Sequence, residues 1–387
     1  MRTLVTGGTG LVGNNCVRLL LDRGHQVRVL ARATSDSRPF AGLDVEIASG
    51  DVRDAASLVT ATQEIDWVVH AAAMVHLGWT GLDQQQAINV EGTRNVAGAA
   101  REAGVRLVHV SSVDALGIGT RAQPANEESP IGGHVESPYV VTKRAAEQAL
   151  LEEVSRGLDA VIVNPVYVLG PWDWKPSSGR MILAVAKGQS WIAPPGGNDF
   201  CDVRNVAQGV LAALERGQTG RRYILGGPAL SYFEAWTLFA EVTGGRRPIM
   251  RARPRWLRAA GALGSAWGRI TGREPDVNSA STAMSALEHH YCCDRAVNEL
   301  GYDPGDVRSA VQAAWDWFRA HGYACGGSLG RKTVPLGRSR TQAFWILRPK
   351  VKCLYARALG AVFSGLGRLG RKFPEHFIEE AGGCRAR

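Results

Sequence analysis

Three glycines, Gly7, Gly10 and Gly13, stand between a short apolar run, residues 2–6, and a segment whose apolar positions Leu11, Val17, Leu20 and Leu21 are spaced as on a helix face. A GxxGxxG pattern at a strand-to-helix turn has a physical reading. One glycine permits the tight turn, one lets the backbone approach a pyrophosphate, and one lets helix and strand pack closely. The phosphate then meets the first turn of the helix, here Leu11, Val12 and Gly13, where free N–H groups and the helix dipole favour an anion. Alone the pattern is weak, but at a first strand with further strands behind it, it points to a dinucleotide-binding βα unit.

The segments that follow extend this unit. Gly24 and His25 stop the helix, and residues 26–31 form a second strand. Further buried strands are expected at 45–48, 67–70, 107–110 and 160–163, with helical runs near 54–62, 84–103 and 138–156. Strands alternating with helices at this spacing predict βαβ units, a parallel sheet and right-handed crossovers. After Asn164 and Pro165 the pattern loosens, with Pro171, Pro176, Pro194 and Pro195 marking loops. A helix at 203–216, a late strand at 222–225 and helices near 231–243 and 306–320 follow. The expected fold class is α/β, a Rossmann-type doubly wound parallel sheet with a smaller C-terminal lobe and a basic C-terminal tail. The expected division is 1–165 for the nucleotide domain, 166–325 mostly for a substrate lobe with 200–225 returning to the sheet, and 326–387 for linker and tail.

Composition narrows the class. With 387 residues, 45% hydrophobic and 46 glycines, the chain can bury a large core and is neither collagen-like nor wholly disordered. No apolar run approaches the roughly 18 residues of a spanning helix, and Met1 leads into the first strand with no signal-peptide core. The net charge of +9 is unevenly placed: positions 326–387 hold 13 Lys or Arg against three Glu, so the rest is near neutral. Within the body, residues 246–273 hold eight Arg and no acid. The seven cysteines lack CxxC spacing, which predicts a reducing compartment, no disulfide framework and no structural metal. A cytoplasmic protein is expected, peripheral at the inner face of a membrane if its basic segments bind lipid.

Which dinucleotide is held depends on the end of the second strand. An Asp there would accept the ribose hydroxyls of NAD and repel a 2′-phosphate. This chain has Ala31 and then Arg32, with Ser35 and Arg38 nearby, so NADP is favoured over NAD. The reacting groups follow from a second pattern. Tyr139 and Lys143 are four apart on a helix that begins after Ser137 and Pro138, and Ser111 and Ser112 end the fifth strand at the edge where open sheets place ligands. A phenol with a pKa of about 10 is a poor base at neutral pH. An adjacent Lys143 ammonium is expected to lower that pKa, making Tyr139 the acid or base for a secondary alcohol, with Ser112 orienting the substrate oxygen.

The motifs TGGTGLVG at the N-terminus, DVRD at 51–54, HAAA at 70–73, NVEGT at 89–93, VSSVDALG at 110–117, YVVTK at 139–143 and NPVYVLGP at 164–171 resemble the extended short-chain dehydrogenase/reductase family over residues 1–325. The resemblance implies Ser112, Tyr139 and Lys143 as catalytic residues, with Lys143 also on the nicotinamide ribose. It implies adenine-side contacts from Asp51 and Val52, close approach of the cofactor at Ala71, Ala72 and Ala73, and cofactor contacts from Asn89 and Ser111. Pro165, Val166 and Val168 would line the nicotinamide, and a homodimer is implied. Asn164 and Leu116 stand where many members carry Arg and Tyr, which counts against the nucleotide-sugar branches.

Within the family, the INVEGTRNV run, the SSVDALG loop and an Arg-Pro-x-Trp segment are most similar to the branch of 3β-hydroxysteroid dehydrogenases, sterol-4-carboxylate 3-dehydrogenases and dihydroflavonol-type reductases. This implies a hydrophobic, sterol- or isoprenoid-like substrate. Trp256, Ala260, Leu263, Trp267 and Ile270 share one helical face flanked by arginines, and Val351, Tyr355, Leu359, Val362, Leu366 and Leu369 form a second stripe. Both 254–270 and 350–372 fit an anionic membrane surface. A core-facing helix and a solubilising tail fit them equally. Two rival functions remain in view: a nucleotide-sugar epimerase or dehydratase, and a non-catalytic cofactor sensor or nucleic-acid binder. Nucleic acid is not the expected partner, since the Ser, Tyr and Lys trio is intact.

Overall fold

Alternation along the strands builds the core. In β1 (Arg2–Thr6), β2 (Gln26–Ala31), β3 (Val45–Ser49), β4 (Trp67–His70), β5 (Arg106–Val110) and β6 (Ala160–Pro165), successive side chains point to opposite faces. Val5, Val69, Val108 and Val163 pack on one face with Val17 and Leu20 of the helix Leu11–Asp22 and Val210 and Leu211 of Val203–Arg216. Their neighbours Leu4, Val68, Leu107 and Ile162 pack on the other with Leu58, Val96 and Leu150. Helices cover both faces, which explains why these strands read as continuous apolar runs.

The remaining strands are β7 (Tyr167–Leu169), β8 (Ile192–Ala193), β9 (Gly197–Asp202), β10 (Arg222–Leu225), β11 (Ala229–Ser231), β12 (Met250–Arg251) and β13 (Glu288–His289). The structure, a computed structural model, describes residues 1–324. The expectations for 326–387, including the 350–372 stripe, lie outside the described residues.

The main sheet is seven-stranded, in the order β10-β6-β5-β4-β1-β2-β3, and every pairing in it is parallel. The order reverses between β1 and β4, so the connections leaving these neighbours diverge and open a crevice at their carboxyl ends. β10 joins the far edge beside β6 after the chain has left the sheet, as the sequence pattern at 222–225 predicts. A smaller sheet, β11-β9-β13 with β7 on β9, has its own core of Leu169, Phe200, Phe239, Trp317 and Phe318. The sequence reading places no strands at β7, β9, β11 or β13. They are short, and β9 reads GNDFCD, with neither alternation nor a β-branched run to reveal it.

Candidate functional site

The glycine loop is set by close backbone packing. Gly7 has φ +73°, and a Cβ there would overlap the Ala71 carbonyl and the Ala72 amide. A Cβ on Gly13 would overlap the Gly7 carbonyl, which accepts the Gly10 N–H at 2.9 Å. Gly10 caps the helix Leu11–Asp22 with no side-chain cap and no acid in the first turn. The amides of Leu11, Val12 and Gly13 therefore lack intrahelical acceptors and face the crevice end of the sheet, which suits a pyrophosphate. Asn14 fixes the loop by donating to the Gly8 carbonyl at 3.0 Å and the Pro39 carbonyl at 3.1 Å.

At the end of β2, Arg32 is exposed and takes part in no ion pair among the described residues. Arg38 is engaged instead, its guanidinium forked on both oxygens of Asp36, the closest at 2.6 Å. Of the two arginines, Arg32 is the one with its charge available. Asp51 is similarly committed, accepting from Arg53 Nε at 2.9 Å and Nη2 at 2.8 Å, and this pairing holds its carboxyl down at about 2. Val52 is buried in the core, its carbonyl accepting Asn95 Nδ2 at 3.1 Å. Asn89 also bonds within the protein: it donates to Met74 O and Thr142 Oγ1, both at 3.1 Å, and accepts the Met74 N–H at 2.7 Å. It thereby stitches the segment after Ala71, Ala72 and Ala73 to the helix that carries Tyr139.

That helix, Pro138–Ser155, starts where the sequence says it should. Ser137 caps it and Pro138 occupies the first turn, which places Tyr139 and Lys143 one turn apart. Both are buried, at 7% and 2% exposure, although Lys is seldom buried without a task. Lys143 Nζ donates to the Val110 carbonyl at 3.2 Å, at the carboxyl end of β5. The next residue, Ser111, is buried and its hydroxyl has no hydrogen-bond partner. Ser112 Oγ donates to Asp114 Oδ2 at 3.0 Å and accepts the Asp114 N–H at 3.2 Å. Pro165 closes β6 beside this point, Val166 follows it, and Val168 lies in β7 opposite Cys201.

The electrostatics differ in one respect from expectation. Burial pushes the Tyr139 phenol above its ordinary range, Asp114 pushes it further, and the hydrogen bond with Ser112 opposes both. Burial and Asp114 set the direction of the shift, and the Lys143 ammonium is engaged by the Val110 carbonyl. Lys143 itself is pushed down to about 8 by burial, with Glu147 and Asp114 pulling back upward. Tyr139 therefore carries its proton at neutral pH, and Lys143 is mainly charged.

Residues 3–226 match the family model described as the NAD dependent epimerase/dehydratase family. The chain belongs to this family. The extended short-chain dehydrogenase/reductase resemblance is thus confirmed, and the Rossmann-type fold with it. Sterol demethylase protein B from Methylococcus capsulatus is 36% identical over 326 residues, spanning 83% of this chain and 99% of that protein. A 3-beta-hydroxysteroid dehydrogenase from Mycolicibacterium neoaurum is 29% identical over 78% of this chain and 86% of its own. Among solved structures, that of gox2253 has a TM-score of 0.74 at 38% identity, covering 83% of this chain and 98% of that one. A nucleoside-diphosphate-sugar epimerase from Pseudomonas aeruginosa has a TM-score of 0.70 at 27% identity, covering 84% and 99%.

In this epimerase/dehydratase-family chain, four residues beyond the expected trio shape the site. Asn164 Nδ2 donates to the Ser112 carbonyl at 2.9 Å and to Glu147 Oε1 at 2.6 Å, and Arg222 Nε donates to the other Glu147 oxygen at 2.7 Å. Glu147 lies one turn beyond Lys143 on the same helix, a periodicity that the sequence does display. No sequence signal links Asn164 to Ser112, 52 positions away. Asp114, two residues after Ser112, was legible only as part of the VSSVDALG motif. Its negative charge reaches Tyr139, Lys143 and Tyr291.

Proposed function

We propose that this member of the family is an NADP-preferring oxidoreductase that interconverts a secondary alcohol and a ketone on a hydrophobic, ring-bearing substrate of sterol or isoprenoid type. The observation that carries the chemistry is the burial of Tyr139 and Lys143 one helical turn apart, over the end of β5 where Ser112 stands. A nicotinamide, when bound, supplies or accepts the hydride. Tyr139, protonated at neutral pH, gives its O–H proton to the carbonyl oxygen in reduction and takes one back in oxidation. Ser112 holds that oxygen after turning its hydroxyl away from Asp114. In oxidation the Lys143 ammonium stabilises the phenolate against the burial that raises its pKa. NADP preference rests on the free guanidinium of Arg32, and the substrate class on the relatives named for sterols and steroids.

The test is NADPH consumption by the full-length protein with a panel of cyclic hydrophobic ketones. Stoichiometric oxidation of NADPH with one of them supports the proposal. Epimerisation of a nucleotide sugar with no net consumption of cofactor would replace it with the other chemistry of the family.

A second observation bears on where such a substrate is met. The helix Pro254–Thr271 is seated by Gly261 and Gly264, whose added Cβ atoms would strike Thr282 and the Val277 carbonyl. Trp256 and Ala260 of its apolar stripe are half-buried, but the rest points outward: Leu263 is 61% exposed, Trp267 50% and Ile270 80%. Val75, Leu77 and Trp79 are exposed on a loop tied to the same region by Glu274, which accepts the Trp79 and Thr80 N–H groups, and by Trp79 Nε1 donating to Ser279. With Arg255, Arg258, Arg269 and Arg273 around it, this face suits an anionic membrane interface, where a lipid-like substrate partitions. No helix among the described residues is long and apolar enough to cross a membrane. Sedimentation with anionic but not zwitterionic vesicles is the expected result, and no sedimentation with either would remove the proposal.

A further inference from the structure

Next to Ser112 lies a cluster whose two histidines the oxidoreductase chemistry does not use. Asp114, His134 and His289 come from three separate segments, and one donor atom from each lies within 4.8 Å of the other two. Both histidines are buried, and the His134 side chain has no exposure at all. The hydrogen bond of His289 shows which of its nitrogens is left over. His289 Nε2 is 3.0 Å from the Met284 carbonyl, which can only accept, so that nitrogen carries the proton and Nδ1 keeps its lone pair. His134 Nε2 is 3.4 Å from the Tyr291 hydroxyl, while its Nδ1 has no hydrogen-bond partner and sits 3.7 Å from Asp114 Oδ1.

Two imidazole rings and a carboxylate thus converge, with His134 Nδ1 unpartnered beside Asp114 Oδ1. We infer that these three residues bind a divalent transition-metal ion of the zinc class. Tetrahedral zinc with bonds of about 2.0–2.2 Å sets its donor atoms about 3.3 Å apart, so the His134 to Asp114 spacing is nearly that of a formed site. The surroundings are those of a metal centre as well. One histidine donates its remote N–H to a backbone carbonyl, and the second carboxylate oxygen is held by Ser112, which orients the ligands. Two nitrogens with one oxygen select a borderline ion over magnesium or calcium, which prefer all-oxygen sets. Asp114 has 20% side-chain exposure, so solvent or a substrate oxygen would complete the coordination from its side. Bound there, the ion would tie together the turn after β5, the loop before Ser137 and β13.

The test needs no turnover and does not depend on the proposed reaction. Chelator-treated full-length protein is titrated with zinc and, separately, with cobalt(II) and magnesium. One zinc per chain, four-coordinate cobalt bands without thiolate charge transfer, and no magnesium uptake are expected. His134→Gln and His289→Gln should each weaken zinc at least about tenfold while NADPH binding shows that the chain is folded. If a variant does not fold, the cobalt spectrum of the parent protein decides alone. No stoichiometric uptake, thiolate bands, or zinc affinity unchanged in both variants would overturn the assignment, leaving a hydrogen-bonded polar cluster only.

Discussion

Pro138–Ser155 and Pro254–Thr271 are both 18-residue helices, and both begin with proline in the first turn. Local sequence starts them in the same way, yet their fates are opposite. The first buries Tyr139, Lys143 and Glu147, residues a surface helix would leave in water. The second buries only Gly261 and Gly264 and leaves Leu263, Trp267 and Ile270 outside. One helix takes polar groups into a low-dielectric crevice, where their pKa values move and chemistry follows. The other holds apolar groups out in solvent, where a partner phase can gain from covering them. Inverted burial is informative in both directions, because each inversion costs stability that ordinary packing would not.

Five substitutions, in four tests, probe this contrast. The largest effect is expected at the first helix: Tyr139→Phe should lower turnover roughly 10²- to 10⁴-fold while leaving NADPH binding intact, the usual span for a lost general acid. Near-normal turnover would separate the buried phenol from the reaction. At the edge of the same crevice, Arg32→Glu should weaken NADPH relative to NADH by roughly ten- to a hundredfold, the scale of one charge-assisted hydrogen bond. An unchanged ratio in fluorescence titrations would take Arg32 out of the phosphate site.

On the second helix, the pair Trp267→Glu and Ile270→Glu should reduce partitioning to anionic vesicles by about tenfold or more, since each side chain loses apolar burial. Equal sedimentation of variant and parent would show that this face is not the contact. The smallest effect concerns pH. Lys143 is charged below about 8 and neutral above, so ketone reduction is expected to decline on the alkaline side of that value. Glu147 pulls the Lys143 pKa upward. Glu147→Gln should therefore move the alkaline decline to lower pH, costing a few-fold in rate near pH 8. A shift to higher pH, or none, would show that Glu147 acts only through Asn164 and Arg222.

The parallel sheet was legible because its strands are buried on both faces and its helices carry caps and periodicity. The intervals 26–31, 67–70 and 222–225 are strands as expected, and the 203–216 helix is placed likewise. The glycine loop and the Tyr139, Ser112 and Lys143 positions were legible for the same local reason, as short motifs at fixed distances from strand ends. The second sheet was not, since its strands gain stability from partners far along the chain rather than from their own pattern. Asn164 beside Ser112, Glu147 against Arg222, and the meeting of Asp114, His134 and His289 were equally hidden.

Sequence by itself determined which residues occupy the turn at the end of β1, the end of β5 and the first turns of the helix after Pro138, because backbone sterics and capping act over a few residues. Only the tertiary structure decided that burial and Asp114 raise the pKa of the Tyr139 phenol, that Arg32 and not Arg38 keeps a free charge, and that Leu263, Trp267 and Ile270 face outward. Desolvation, ion pairing and exposure depend on what lies across space, and no local pattern encodes them.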